Sequence, residues 1–381
     1  MTAKRRQKPL VVVAGQMPPP TGGQNVMIRR ILEELSSNGR WDTVHLPFHF
    51  TPSFQSVRRM GLRKITALIA VWIRFLSLVL RFGRPDVLLY PSGGPQTVPV
   101  VRDILLLPFL CAFSGRVVVQ FHAAGIADRL RERSGMLEHL ILWAYRSVCG
   151  AIVMTNFNRC DPVALGIPRI EVIPHRLPDE NPAGCLPDYS AFPHPQSPFT
   201  ILYAGHLYDL KGTPQLVEAF GGIARQFPSV RLVLMGEFLP PYSEERCRNR
   251  CRELGIEDRV EVAGVLHGAQ KAACFRAAHL FVFPSIAPYE SFGLVMAEAM
   301  MWGLPIVATE WRGNRDVAGP EASYAKAGDV GELGRILSET LENAAQLPSR
   351  ARASRIRYEN HFCLDQKEGD YREPIHRFLD L

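Results

Sequence analysis

Two glutamates, Glu290 and Glu298, flank the predicted start of a helix near Ser291. This helix follows an apolar strand that ends at Phe283 and a loop broken by proline, and we expect it to end at Gly303. Unpaired backbone N–H groups at a helix start bind anions, and carboxylates accept hydrogen bonds from hydroxyl groups. The combination favours a ligand that carries a phosphate together with sugar and ribose hydroxyls. The alternative is that Glu290 only caps the helix and Glu298 is a surface charge.

A second loop follows another apolar run, residues 199–205, and carries groups that suit a diphosphate. His206 and Lys211 supply an imidazole and an ammonium group, and Gly205 and Gly212 make the backbone flexible. A lysine acts as a point charge on phosphate oxygens. The loop is therefore a candidate diphosphate site, although a Lys-Gly pair taken alone indicates only a turn.

The elements that must position these loops alternate between strand and helix, which is typical of an α/β protein. Short apolar runs rich in β-branched residues predict buried parallel strands. These runs are residues 10–15, 86–90, 116–121, 151–154 and 170–173 in the first half, and 199–205, 230–235, 260–262, 280–283 and 305–308 in the second. We expect two doubly wound domains that face a central cleft, with ligands at the carboxyl ends of the strands.

The domain boundary is predicted from proline. Prolines crowd residues 178–198, and proline at this density stops both helices and strands. We therefore predict an N-terminal domain over residues 1–185, a linker over 186–198 and a C-terminal domain over 199–360. The remaining residues, 361–381, are expected to form a helical tail that packs back on the N-terminal domain.

The charge is unevenly distributed along the chain. Residues 1–180 contain 23 Lys and Arg against 12 Asp and Glu, and the rest contains 21 against 25. The resulting net charges, +11 and −4, suggest that the first half meets an anionic partner. A basic face that only contacts water would give the same numbers.

Residues 62–82 form a strongly apolar helix pattern that contains four cations, namely Arg63, Lys64, Arg74 and Arg81. Arg58 and Arg59 precede it and Arg84 follows it. Charges at this density argue against a membrane-spanning helix. The helix either lies on an anionic membrane surface or packs on the sheet with its cationic ends exposed, and we prefer the second interpretation.

The cysteine spacing and the first residues of the chain argue against metal-binding, redox and secreted proteins. The eight cysteines have neither metal-ligand nor redox spacing, which predicts reduced thiols. The apolar run after the basic start is too short for a secretory signal. We expect a cytoplasmic protein with no metal site and no nucleic-acid partner.

The two loops also resemble a known family. Gly205, Lys211 and Gly212 have the spacing of a Gly-Arg-x4-Lys-Gly element, and Glu290 and Glu298 have that of a Glu-x7-Glu element. Both elements are similar to those of glycosyltransferase family 4, the retaining transferases of GT-B fold. Other similar segments lie along nearly the whole chain, at Thr21-Gly22-Gly23, Phe121-His122, Ile173-Pro174 and Gly313–Val317. The sequence departs from the family where His206 replaces an arginine, where His175-Arg176 replaces Asn-Gly, and where Phe238 replaces the second glycine of a Gly-x-Gly turn.

The resemblance implies transfer of a sugar from a nucleoside diphosphate sugar to a saccharide or lipid-linked acceptor, with no cofactor besides the donor. Lys211, helped by His206, would stabilise charge on the leaving diphosphate. Glu290 would hold donor-sugar hydroxyls, and Glu298 would hold the ribose. His122 would bind the donor sugar from the N-terminal domain, unless it is only a buried histidine. The remaining implied donor-binding positions are Gly22, Gly23, Gly205, Gly212, Ser291, Phe292 and Gly293.

Two other classes of protein are weighed against this interpretation. A NAD-dependent dehydrogenase needs Gly-x-Gly-x-x-Gly after its first strand, and the glycines between Gly15 and Gly23 do not have this spacing. A non-catalytic sugar-nucleotide-binding or membrane-scaffolding protein on the same fold is the second alternative. The histidine at position 206 and the apolar basic helix keep that alternative open.

Overall fold

The computed structural model describes residues 6–18, 23–37, 39–48, 62–190, 192, 198–364 and 377–378. The chain divides into two compact units. The first comprises residues 1–175 and 367–381, and the second comprises residues 176–366.

The first unit is built on a six-stranded sheet with the order β2-β1-β3-β4-β5-β6, in which every pairing is parallel. Its strands are β1 (Leu10–Gly15), β2 (Asp42–Pro47), β3 (Val87–Pro91), β4 (Arg116–Phe121), β5 (Gly150–Val153) and β6 (Ile170–Val172). Its helices are α1 (Gly23–Ser37), α2 (Leu62–Phe82), α3 (Thr97–Phe113), α4 (Ile126–Glu132), α5 (Met136–Tyr145) and α6 (Cys160–Ala164). Aliphatic side chains of the central strands form the core between sheet and helices.

The second unit repeats this plan with the sheet order β12-β11-β10-β7-β8-β9, again parallel throughout. Its strands are β7 (Phe199–Ala204), β8 (Val230–Met235), β9 (Val260–Gly264), β10 (Leu280–Phe283), β11 (Ile306–Glu310) and β12 (Ser323–Lys326). Its helices are α7 (Thr213–Ile223), α8 (Glu244–Leu254), α9 (Gly268–Arg276), α10 (Leu294–Met301), α11 (Asn314–Ala318), α12 (Val330–Glu342) and α13 (Leu347–His361).

The prediction of two doubly wound α/β domains is confirmed, and each predicted strand is present. Two strands, β2 and β12, were not predicted. Both lie at the edge of their sheet, where side chains are only partly buried. Because an edge strand is less enclosed than a central one, it does not need the continuous apolar run by which central strands are recognised.

The boundary between the units lies earlier than the predicted end of the first domain at residue 185. Residues 176–185 belong to the second unit because their polar side chains bind there. Asp179 pairs with Arg355 at 2.5 Å, and the Asn181 side-chain amide donates to the Met301 carbonyl at 3.1 Å. The proline-rich residues 178–198 lie close to this boundary, and the contacts of Asp179 and Asn181 show that residues 176–185 pack with the second unit.

The predicted C-terminal tail lies largely outside the described residues. Of residues 361–381, the structure describes 361–364 and 377–378. Phe378 is buried against the first unit, where Arg169 lies 4.7 Å from its ring centroid and Arg116 donates to its carbonyl at 3.2 Å. The helical tail as a whole stays a prediction.

Candidate functional site

The two candidate loops follow neighbouring strands, β7 and β10, at the point where the strand order of the second sheet reverses. From β7 the chain proceeds to β8 and β9 on one side, whereas β10 leads to β11 and β12 on the other. Connections that leave adjacent strands in opposite directions open a crevice between them, which is where doubly wound sheets bind ligands. The Ile286 N–H donates to the Leu210 carbonyl at 2.9 Å and holds the two loops together.

Lys211 and Glu290 form an ion pair across these loops. The Lys211 Nζ lies 2.5 Å from Glu290 Oε2, and the Ser285 hydroxyl donates to the same oxygen at 2.8 Å. Both side chains are mostly shielded from water, with exposed fractions of 18% for Lys211 and 8% for Glu290. A shielded, charge-assisted hydrogen bond is stronger than an exposed one. The pair thus places a fixed cation beside a fixed acceptor at the edge of the crevice.

A glycine allows the two loops to approach this closely. Gly212 has a φ of 74°, in the left-handed region, and it immediately precedes α7. A Cβ at this position would lie 2.1 Å from the Pro284 carbonyl oxygen in the other loop. Because that neighbour is backbone, a larger residue would push the loops apart and move Lys211 away from Glu290. Gly212 is therefore required for the close approach of the loops, and that it also binds the donor stays a prediction.

Hydrogen bonds from the end of β11 and the residues after it hold the loop that carries Glu290. The Thr309 hydroxyl donates to the Ser285 carbonyl at 2.5 Å, and the Trp311 indole N–H donates to the Ala287 carbonyl at 2.8 Å. The Asn314 amide in turn donates to the Thr309 carbonyl at 3.1 Å. Residues at the end of β11 and directly after it thereby fix the backbone of the loop on which Glu290 lies.

The helix after this loop is shorter than predicted. It begins at Leu294, not near Ser291, and ends at Met301. Gly293 causes the later start: it is the N-cap with a φ of 64°, and a Cβ there would lie 2.8 Å from the Met296 terminal methyl carbon. Ser291 and Phe292 are buried loop residues, and the Phe292 ring contacts the Phe362 ring edge-on at 5.5 Å. That their N–H groups bind an anion stays a prediction.

Glu298 lies inside α10 and has its own cation. Lys271, on α9, donates to Glu298 Oε1 at 2.6 Å, and 19% of the Glu298 side chain is exposed. Glu298 is therefore a mostly shielded, paired carboxylate, and that it holds the ribose stays a prediction. Sequence reasoning missed Lys271, because nothing in the local pattern of α9 distinguishes it from a solvent-facing lysine.

His206 follows β7 and Gly205, next to Lys211. Burial and the neighbouring Lys211 charge lower the pKa of His206, and Glu237 opposes this effect. A lowered pKa means that the imidazole is largely uncharged at neutral pH. Lys211 therefore supplies the lasting positive charge of this loop, and His206 supplies a neutral hydrogen-bonding ring.

In the first unit, His122 directly follows β4. Its ring stacks on His175 with centroids 5.6 Å apart and an angle of 9° between the planes, and its Nε2 lies 3.3 Å from the Gln120 side-chain oxygen. Burial lowers the pKa of His122 to about 4. The ring is thus neutral at physiological pH and suits hydrogen bonding better than proton donation. Gly23 begins α1, and Gly22 lies outside the described residues.

The described residues contain no group of three or more His, Cys, Asp or Glu side chains that could hold a metal ion. The charged groups at the crevice are instead paired with each other.

Two parallel six-stranded sheets with interleaved helices are the architecture of the GT-B fold, and solved structures of glycosyltransferases share it. Sucrose-phosphate synthase from Thermosynechococcus elongatus aligns with a TM-score of 0.74 and 19% identity, over 98% of this chain and 99% of that one. HepE from Anabaena, solved in complex with UDP, aligns with a TM-score of 0.67 and 15% identity, over 98% and 100% of the two chains.

Residues 189–359 match the family described as Glycosyl transferases group 1. The predicted resemblance is confirmed. Phosphatidyl-myo-inositol mannosyltransferase of Mycobacterium leprae is 29% identical over 60% of this chain and 59% of its own length. D-inositol 3-phosphate glycosyltransferase of Pseudarthrobacter chlorophenolicus is 37% identical over 29% of this chain and 26% of its own length. The chain thus spans less than two thirds of either relative.

Proposed function

We propose that this protein is a retaining, metal-independent glycosyltransferase that transfers a hexosyl or related sugar from a nucleoside diphosphate sugar to a saccharide or lipid-linked acceptor. The observation that carries the proposal is the shielded Lys211–Glu290 pair at the strand-order reversal of the second sheet. In the reaction, the bond between the anomeric carbon and the diphosphate oxygen breaks, and a bond to the acceptor oxygen forms with the original anomeric configuration.

The donor fits the chemistry of the two ion pairs. As the anomeric bond breaks, negative charge builds up on the diphosphate, and the Lys211 ammonium would stabilise it from a fixed position. Glu290 would accept hydrogen bonds from the donor-sugar hydroxyls. Glu298 already accepts from Lys271, and it would accept from ribose hydroxyls in the same way. The UDP complex named for HepE supports a nucleoside diphosphate as the leaving group.

The acceptor is proposed from the names of two relatives. Two relatives carry names with an inositol phospholipid, the mannosyltransferase of Mycobacterium leprae and the phosphatidylinositol N-acetylglucosaminyltransferase subunit of Schizosaccharomyces pombe. These names support a lipid-linked acceptor. We propose in addition that the enzyme is cytoplasmic and works at the inner face of a membrane. The non-catalytic alternative is supported by the histidine at position 206, where the family has an arginine, because an imidazole with a lowered pKa carries little charge at neutral pH.

A donor screen tests the proposed function. We expect one or more nucleoside diphosphate sugars to raise the melting temperature of the protein by a few degrees, because a ligand that binds only the folded state stabilises it by mass action. The same donor should be hydrolysed slowly to nucleoside diphosphate and free sugar without an acceptor. Stabilisation with no release of nucleoside diphosphate, even with saccharide and lipid acceptors present, would identify a non-catalytic binder. If no donor stabilised the protein or was turned over, both the proposed transferase and the non-catalytic binder would be refuted.

Metal independence is tested separately. Donor hydrolysis is expected to keep its rate after dialysis against EDTA, because fixed cations and backbone N–H groups can stabilise the charge that a metal ion stabilises in other transferases. Initial rates should be measured before chelation, after it, and after adding Mg²⁺ or Mn²⁺. A rate that collapses on chelation and returns with either ion would contradict the prediction.

A further inference from the structure

Helix α2 buries one side and exposes large aliphatic side chains, together with arginines, on the other. Leu68, Val71, Phe75 and Leu78 are buried in the core of the first unit. On the other side the exposed fractions reach 59% for Ile73 and 86% for Leu80, and Ile69 and Leu76 are also exposed. Large aliphatic side chains exposed to water along a helix usually mark a surface that binds another protein or a membrane.

The segment Ile65–Phe82 is long and apolar enough to cross a membrane by length and composition, with a mean hydropathy of 1.9. Its packing argues against that arrangement. Phe75 is fully buried in the core, so a spanning position would pull its ring and its buried neighbours out of the first unit. A helix with one side in a protein core and an apolar outer side can instead lie flat at an interface.

Two neighbouring helices extend the apolar surface of α2. The Phe109 ring on α3 contacts the Trp72 ring of α2 at 5.8 Å and the Phe113 ring at 5.1 Å. Between α3 and α5 lies an open cavity of about 250 Å³, lined partly by Cys111 and Trp143. We call the surface formed by these exposed side chains the outer helical face: Ile69, Ile73, Leu76, Leu80, Phe113 and Trp143.

The exposed charges on the three helices of the outer helical face are of one sign. Among the described side chains of α2, α3 and α5, the only carboxylates are Asp103 and Glu138, and both are buried. Asp103 accepts from the Tyr90 and Tyr145 hydroxyls, and Glu138 pairs with Arg129 at 3.1 Å. These carboxylates are therefore engaged inside the unit and do not oppose an anionic surface.

The exposed charges on the same helices are arginines. Arg74 and Arg81 lie on α2, and Arg146 directly follows α5. The guanidinium of Arg81 lies 5.0 Å from the Phe82 ring centroid, and that of Arg146 lies 5.6 Å from the Trp143 ring centroid. Arginines beside aromatic rings at the rim of an apolar surface suit the boundary between lipid head groups and acyl chains, where cations meet lipid phosphates.

The composition of the face favours a bilayer over a protein partner. Its members on α2 are aliphatic and the exposed charges on its helices are arginines, whereas protein interfaces pair charges of both signs. We propose that the outer helical face docks on a bilayer that contains anionic phospholipids, with α2 lying in the plane of the interface. This docking goes beyond the proposed transfer reaction and does not depend on it.

Vesicle sedimentation of the full chain tests the docking. We expect binding to vesicles of equal parts phosphatidylcholine and phosphatidylglycerol at low salt, and at least about tenfold weaker binding to phosphatidylcholine alone or at high salt. The variant Ile73→Asp/Leu80→Asp should weaken binding to the anionic vesicles by at least about tenfold, and so should Arg81→Glu/Arg146→Glu. Ile356→Asp changes an exposed aliphatic residue on α13 and should bind as wild type does.

Melting temperature and donor hydrolysis without vesicles, measured on the same variants, separate this proposal from the proposed function. Unchanged values in Ile73→Asp/Leu80→Asp, together with lost vesicle binding, support docking whether or not the protein transfers sugar. Failure of the wild type to bind either vesicle type would overturn the proposal, and so would equal binding by the Asp variant. A self-association of the wild type that the Asp variant abolishes, without vesicle binding, would assign the face to a second copy of the chain.

Discussion

Glu290→Gln is expected to lower the rate of sugar transfer by about 100- to 1,000-fold, the range seen when one fixed polar group of a transition-state site is removed. Glutamine has nearly the same shape as glutamate but replaces one acceptor oxygen with an NH₂ donor. That change removes the charge that holds the Lys211 ammonium at 2.5 Å and an acceptor proposed for the donor-sugar hydroxyls. Initial rates of transfer or donor hydrolysis should be measured at saturating donor.

The control for this variant is Glu339→Gln. Glu339 lies on α12, is exposed and pairs with Arg335, so the same chemical change there should leave the rate unaltered. Circular dichroism and melting temperature of both variants show whether the fold is intact. A wild-type rate for Glu290→Gln would mean that this carboxylate lies outside the reacting centre.

Lys211→Ala is expected to reduce turnover by about 1,000-fold or more, mainly through kcat. The reason is that the ammonium group acts on charge that develops as the diphosphate leaves, so its contribution is larger in the transition state than in the bound donor. The neighbouring His206 cannot replace it at neutral pH, because its pKa is lowered. Steady-state kinetics should show a small change in KM beside the large change in kcat. Lys326→Ala, which removes an exposed lysine at the end of β12, should keep the wild-type rate.

The Lys211 truncation also affects stability, which a double variant separates from catalysis. Lys211→Ala leaves the Glu290 carboxylate shielded from water without its cation, and this costs folding free energy. Lys211→Ala/Glu290→Gln removes both charges, so its melting temperature should recover towards that of the wild type while its turnover stays low. Recovery of turnover along with stability would show that the lysine is structural.

The positions of the catalytic candidates along the chain could be predicted because they depend on local pattern. Buried central strands need continuous apolar runs, and the loops that follow β7 and β10 are recognisable by glycine, proline and charged residues. The family resemblance then assigns Lys211 and Glu290 their roles. The start of α10 was misplaced because Gly293, in a left-handed conformation, ends the loop later than the sequence pattern indicates.

Three features could be predicted from local sequence pattern alone: the alternation of strands and helices, the two doubly wound domains, and the loops that carry Lys211 and Glu290. The ion pairs could be identified only from the tertiary structure, because Lys211 lies 79 positions from Glu290 and Lys271 lies 27 positions from Glu298. The tertiary structure also decided that one apolar side of α2 is buried and the other is exposed. The ion pairs and the burial of α2 escape prediction for the same reason. Hydrophobic periodicity is a property of neighbours along the chain, whereas pairing and burial depend on strand order and on how elements pack, which no local pattern contains.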